Sequence, residues 1–102
     1  MPAAPQIVSS TCLNSPPARF YHSMAYDSAK GKVVVFGGGD AFGNYLNDTW
    51  VWNGSDWTEE PGTGAPAPRF SQAMAYDASD GELVLFGGAT AAGYLGDTFV
   101  WK

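Results

Sequence analysis

The chain has 102 residues, a formal net charge of −5 and only five Lys and Arg, a balance that argues against a nucleic-acid backbone as partner, because phosphate binding needs a basic face. Its one cysteine, Cys12, excludes an intrachain disulfide and a multi-cysteine metal site, and its one histidine, His22, excludes a histidine metal cluster. Thirteen Gly and seven Pro in a 45% hydrophobic chain favour many short strands and turns over helices.

Residues 1–15 form an N-terminal segment without the charged and then apolar stretch of a signal peptide. Within it, residues 6–13 carry β-branched Ile7, Val8 and Thr11 and are predicted to form an outer strand. A first unit spans residues 16–65. Its first strand is predicted over residues 20–26, after Pro16-Pro17, and ends in the turn sequence Asp27-Ser28-Ala29-Lys30-Gly31. The second covers residues 32–38, where Val33-Val34-Val35-Phe36 is apolar without alternation, as in a strand covered on both faces. The third, residues 49–53, sets Trp50 and Trp52 around Val51 and ends at Asn53-Gly54; the fourth, residues 57–60, stops at Pro61. A linker over residues 61–68 leads into a second unit, residues 66–102, with strands predicted over 70–76, 82–88 and from 98 to the end. That unit lacks a fourth strand, and residues 6–13 are expected to supply it. No window has helical apolar spacing, so no helix is expected, and no run approaches the roughly 18 apolar residues of a membrane span.

The two units repeat each other. Arg19-Phe20 recurs as Arg69-Phe70, Met24-Ala25-Tyr26-Asp27 as Met74-Ala75-Tyr76-Asp77, and Phe36-Gly37-Gly38 as Phe86-Gly87-Gly88, all at an offset of 50. Asp48-Thr49-Trp50-Val51-Trp52 is matched by Asp97-Thr98-Phe99-Val100-Trp101 at an offset of 49, so one residue is lost in the loop after the glycine pair. A period of this length, made of strands, marks a stacked unit that cannot bury its own faces.

Four apolar residues, a Gly-Gly pair, a variable loop and a spaced aromatic pair together resemble the kelch repeat. The residues that carry the resemblance are Val33 to Gly38 with Trp50, Trp52 and Trp57, then Leu83 to Gly88 with Phe99 and Trp101, and Arg19 and Arg69 before each first strand. It implies an all-β, kelch-type β-propeller segment: two four-stranded antiparallel blades, the second closed by the N-terminal outer strand. The Gly37-Gly38 and Gly87-Gly88 pairs would permit close backbone approach, the tryptophans would bury area between blades, and Arg19 and Arg69 would form inter-blade pairs. Propellers of this family have about six or seven blades. Two blades therefore imply either a piece of a longer protein, with further repeats in cis, or self-assembly, three copies giving six blades. The resemblance extends to galactose-oxidase-like propellers, but one histidine cannot furnish that copper chemistry, and no cofactor or metal is expected. Residues 52–58 resemble hairpins of bacterial kelch-like proteins, many of which act outside the cytoplasm.

Catalysis has little to work with, and no catalytic residue is expected. His22 aligns with Gln72 and reads as a polar slot. Asp27, Asp77, Asp48 and Asp97 recur at turns and strand starts, where such side chains cap backbone N–H groups. Asn47-Asp48-Thr49 and Asn53-Gly54-Ser55 fit the glycosylation pattern but have the same kind of structural reading. Binding is better supported. The loop after each second strand, residues 39–47 and 89–96, differs between repeats on a constant scaffold, which is where recognition usually resides. Asp40, Phe42 and Asn44 do not repeat and lead the candidates; Tyr45 and Tyr94 repeat and also read as loop anchors. Arg19, Tyr21, His22, Arg69, Ser71 and Gln72 would join them at the channel mouth. The expected partner is a protein or peptide, with a glycan or an accessory role in a secreted enzyme as the alternatives.

Overall fold

The structure is a computed structural model that describes residues 4–62 and 64–102. The first three residues of the N-terminal segment and one position of the expected linker lie outside the described residues. These residues form nine strands and no helix: β1 (Ser23–Asp27), β2 (Lys32–Gly39), β3 (Tyr45–Trp52), β4 (Trp57–Glu60), β5 (Ala73–Asp77), β6 (Glu82–Phe86), β7 (Ala89–Thr90), β8 (Gly93–Tyr94) and β9 (Thr98–Trp101). With no helix present, none is long and apolar enough to cross a membrane. The strands make an antiparallel four-stranded sheet β1-β2-β3-β4, a three-stranded sheet β5-β6-β9 and a small hairpin β7-β8.

Each sheet is a meander built on tight hairpins. Gly31 and Gly81 take positive φ at the turns that join β1 to β2 and β5 to β6, and Asp27 and Asp77 each accept a turn N–H, from Lys30 and from Ser79. Asn53 closes the β3–β4 turn by accepting from the N–H groups of Ser55 and Asp56. The register sets Ala25 opposite Val34 and Val34 opposite Val51 in the first sheet, and Tyr76 opposite Leu83 and Leu83 opposite Trp101 in the second. Residues in register share a face. The core lies where these two faces meet, with Val34, Val51 and Leu83 buried and Ala25, Met74, Tyr76 and Trp101 packed around them. The apolar run of β2 is buried on both faces, Val34, Val35 and Phe36 all being 3% exposed or less.

Several expectations are corrected. Residues 6–13 form no strand, and the second sheet has three strands, not four. The N-terminal segment lies instead on the far side of the first sheet. Asn14 donates from its backbone and side chain to Asp56, and Ser10 and Cys12 line a shallow cleft with Met24, Val33, Trp52 and Trp57. The physical reason is connectivity: the segment runs straight into the first sheet, and the second sheet covers the opposite face. The first strands start at Ser23 and Ala73 rather than at Phe20 and Phe70, because Tyr21 and Ser71 sit at φ 55° and 59° and interrupt the extended backbone. Phe20 and Phe70 keep only isolated bridges, to Gly39 and Ala89. The third strand begins at Tyr45, four residues earlier than expected, so its loop shrinks to residues 40–44. In the second repeat, β6 stops at Phe86, and the loop that follows folds into β7-β8. Of the aromatic motif residues, Trp101 packs between the sheets, whereas Trp52 and Trp57 stack on each other on the outward face at 5.5 Å.

The glycine pair admits close backbone approach both from the second repeat and from its own. Gly37 and Gly38 have φ of 65° and 102°, and a Cβ on them would lie 2.9 Å from the Arg69 carbonyl and 2.6 Å from the Phe20 carbonyl. Gly38→Ala should therefore combine the left-handed penalty with a clash against backbone and lose roughly 2–5 kcal/mol in urea denaturation. Gly43→Ala, also at positive φ but with open space around it, should lose only about 1–2 kcal/mol. Equal losses would show that the close approach costs nothing.

Candidate functional site

The loop-bearing end of the two sheets is organised by two arginines. Arg69 is fully buried. Its Nη1 donates to Asp97 Oδ1 and to the Gly87 carbonyl, its Nη2 donates to Asp97 Oδ2 at 2.9 Å, and its Nε donates to the Ala67 carbonyl. Arg19 repeats the set with Asp48 (2.6 and 2.9 Å), Gly37 and Pro17. Five donors in a rigid fork suit this planar, bidentate pairing. Expected between repeats, each ion pair falls within its own repeat, because Asp48 within β3, and Asp97 just before β9, is the acceptor in reach. Asp48 and Asp97 are thus counter-ions rather than caps. The recurring Arg-to-Asp spacing was the available signal.

Burial opposes ionisation of Asp48, but hydrogen bonds from Arg19 and from the Trp50 indole, together with the Arg19 charge, outweigh it and hold the carboxyl below its usual value. At Asp97 the hydrogen bonds from Arg69 come first and lower it likewise, against a smaller desolvation effect.

Contact between the repeats runs through backbone at this end. Gly38 N–H donates to the Arg69 carbonyl at 2.8 Å, Arg69 N–H to the Leu46 carbonyl at 3.1 Å, and Ser71 N–H to the Tyr21 carbonyl at 2.8 Å. Gln72, buried, donates from Nε2 to both Ser23 Oγ and the Phe36 carbonyl at 2.8 Å, while its Oε1 has no partner among the described residues. The side chains of Arg19, Arg69 and Gln72 therefore hold the scaffold, whereas Ser71 is exposed and contributes its backbone N–H. His22 is exposed and makes no side-chain hydrogen bond among the described residues.

Asp40 and Asn44 close the 40–44 loop upon each other. Asp40 Oδ1 accepts from the N–H groups of Phe42 and Asn44 at 2.9 and 3.0 Å, and Oδ2 accepts from Asn44 Nδ2 at 3.1 Å. Those bonds, the Asn44 N–H first, hold the Asp40 carboxyl below its ordinary value. Phe42 is left at the tip, 88% exposed. Tyr94 stands out equally in β8, at 96%.

The structure brings together an aromatic strip that crosses from one repeat to the other. Phe20 meets Tyr21 edge-on at 5.1 Å, Tyr21 lies 6.1 Å from Phe70, and Tyr45 lies 5.0 Å from Phe70. Phe20, Tyr21 and Tyr45 keep substantial exposed surface. Phe20 and Phe70 escaped the residue-by-residue reading, although their recurrence after each arginine marked them. Glycine at position 39 lets the Phe20 ring lie against the backbone, where a Cβ would come within 2.8 Å of it; Ala89 holds the equivalent place, and Phe70 stacks on Tyr45 instead.

Elsewhere, the carboxylates of Asp77, Asp80 and Glu82 gather within 4.8 Å of one another. Asp77 is occupied in capping the turn at Ser79 and Asp80, and Glu82 faces Lys102 at 3.8 Å. An apolar cleft of about 210 Å³ between the sheets is lined by Phe36, Leu85, Phe99 and the linker residues Pro61 and Pro66. The sequence matches no family model and none of the curated proteins.

The arginine pairs generate an acid-stability prediction. Against the opposing effect of burial, the hydrogen bonds and charge of Arg19 and the Trp50 indole hold the folded-state pKa of Asp48 below its ordinary carboxylate value, so its contribution to stability is present above that ordinary value and is lost as pH falls through the lower folded one. Asp48→Ala, which strands a buried guanidinium, should cost roughly 3–5 kcal/mol at neutral pH. Unfolding followed by tryptophan fluorescence should show a shallower acid dependence in the variant; an unchanged acid limb would remove the pair from the account.

Proposed function

We propose that the chain is a non-catalytic interaction module of a kelch-type β-propeller, binding a protein or peptide through the loops at the glycine-pair end. The observation that carries this reading is the aromatic strip of Phe20, Tyr21, Tyr45 and Phe70, which spans both repeats. Tyrosine and phenylalanine supply contact area at little conformational cost, and aromatic anchors dominate protein-recognition surfaces. A strip running from one repeat to the next fits an extended or flat partner better than a small polar ligand.

Four antiparallel strands around a Gly-Gly bulge, and two sheets packed face to face with backbone bonds at one end, support the propeller reading. The carboxylates of the loop end, Asp40, Asp48 and Asp97, are each engaged by partners within the chain. That supports a binding role over acid–base chemistry there. A glycan is the second reading, favoured by Phe42 alone at a loop tip beside Asp40 and Asn44. Those two neighbours spend their polar groups on each other, which leaves fewer for sugar hydroxyls.

Panning a displayed random-peptide library on the chain, in parallel with a glycan array, separates the two. The expected outcome is an enriched peptide class whose affinity falls about tenfold or more in Tyr21→Ala and Tyr45→Ala, equivalent to roughly 1.4 kcal/mol. Glycan binding lost in Phe42→Ala would replace the protein reading with the second one.

A further inference from the structure

The two sheets meet through unlike faces. The first contributes Ser23, Ala25, Val34, Phe36 and Val51, and the second Met74, Tyr76, Leu83, Leu85, Phe99 and Trp101. Because the repeats match, the chain presents each half of that contact a second time, unpaired. The open face of the second sheet carries Ala73, Ala75, Val84, Phe86 and Val100, the counterparts of the first set; Phe86 is 54% exposed where Phe36 is buried. The outward face of the first sheet carries Met24, Tyr26, Val33, Val35, Trp50 and Trp52, the counterparts of the second set; Val35 is buried beneath its neighbours, whereas Met24 is 53% and Tyr26 56% exposed.

We infer that a second copy of this chain docks head-to-tail, setting the open face of its first sheet on the open face of the second sheet and repeating the contact already made within one chain. This is independent of what the loops bind.

Three further observations support a second copy rather than another occupant. The hydrogen bonds between the repeats have ready equivalents. Gly88 N–H would meet the Arg19 carbonyl, Arg19 N–H the Leu95 carbonyl, Tyr21 N–H the Ser71 carbonyl, and the His22 ring N–H the Phe86 carbonyl. Among the described residues, the N–H groups of Gly88, Arg19 and Tyr21 donate to no protein acceptor within the chain. Next, Tyr94 occupies in the second repeat the place of Tyr45, each facing the residue after its glycine pair (Ala89 and Gly39). Tyr45 stacks on Phe70, and Tyr94, 96% exposed, would stack on Phe20 of the docking copy. Last, β9 is an edge of its sheet, where β3 carries β4. The repeat offset of 50 sets Ile7-Val8-Ser9-Ser10 at the place of Trp57-Thr58-Glu59-Glu60. That segment, with Ile7 fully exposed, would leave its cleft beside Trp52 and pair with β9 of the neighbour, satisfying an otherwise open edge.

Two contacts do not carry over. Lys30 sits over Trp101 at 4.9 Å, whereas its counterpart Asp80 would approach Trp52, and Ala73 lacks the Ser23 hydroxyl that Gln72 uses. The contact between copies is accordingly weaker than the one within the chain. Being heterologous, it closes a ring or continues as a filament, according to the rotation per copy.

Light scattering on the 102-residue chain tests this. The expected mass is a multiple of 10.8 kDa, falling to 10.8 kDa in Phe86→Glu and in Met24→Glu, both at exposed positions, with far-UV circular dichroism unchanged. Mixing the two variants should restore a 1:1 heterodimer, because each keeps one intact face and the two that remain are complementary. If either variant fails to fold, Val100→Lys and Tyr26→Lys repeat the test. A monomeric parent chain, an assembly that neither variant reduces to 10.8 kDa, or variants that do not associate on mixing would overturn the proposal. An effect of Phe86→Glu without one of Met24→Glu would also do so, since it signals a like-with-like contact.

Discussion

The close backbone approach at Gly37-Gly38 is the constraint on which the rest depends. There the backbone of Arg69 donates to one residue of the first repeat and accepts from another, so the two sheets are joined by hydrogen bonds as well as by apolar packing. A side chain at Gly37 would meet the Arg69 carbonyl of the second repeat, and one at Gly38 would meet the backbone of Phe20 and His22 in its own repeat. Loss of that line would open the contact between Val34, Val51 and Leu83 as well, because those residues are buried only while the sheets stay face to face. The left-handed turns at Tyr21 and Ser71 belong to the same arrangement. Each costs about 1–3 kcal/mol in isolation, and the Tyr21 carbonyl is one of the groups that the second repeat binds.

Much of the fold was legible in the sequence, since patterning and turn chemistry agreed. The hairpins at Gly31, Gly81 and Asn53-Gly54, the doubly covered strand of Val34 to Phe36 and the absence of a helix follow from apolar runs and turn residues. The strand limits were less legible. Positive φ at Tyr21 and Ser71 has no local residue signature, because neither is glycine or asparagine, and it arises from contact with the other repeat. The N-terminal segment shows a different limit. Its composition suits a strand, but composition does not say which edge is within reach of a segment tethered to the far side of the first sheet.

The site was legible in part. Aromatic and polar residues of the loops stand out in the sequence, but their division of labour does not. Asp40 and Asn44 look free in the sequence and are spent on the loop itself. Gln72 looks like a ligand contact and is buried across the two repeats, whereas Phe20 and Phe70 look like strand residues and form the strip. Each of these depends on partners distant in sequence.

The arginine pairs have a consequence for how such a chain can change its length. Arg19 takes both carboxylate bonds from Asp48, and Arg69 from Asp97, so each repeat closes its own charge balance around its deepest cation. Duplicating or deleting one repeat by unequal recombination would add or remove a complete ion pair, and no guanidinium would be stranded in a dry interior. A pair shared across the boundary would forbid that, because every gain or loss would orphan one buried charge. Confining the ion pair within the repeat leaves the number of repeats free to drift.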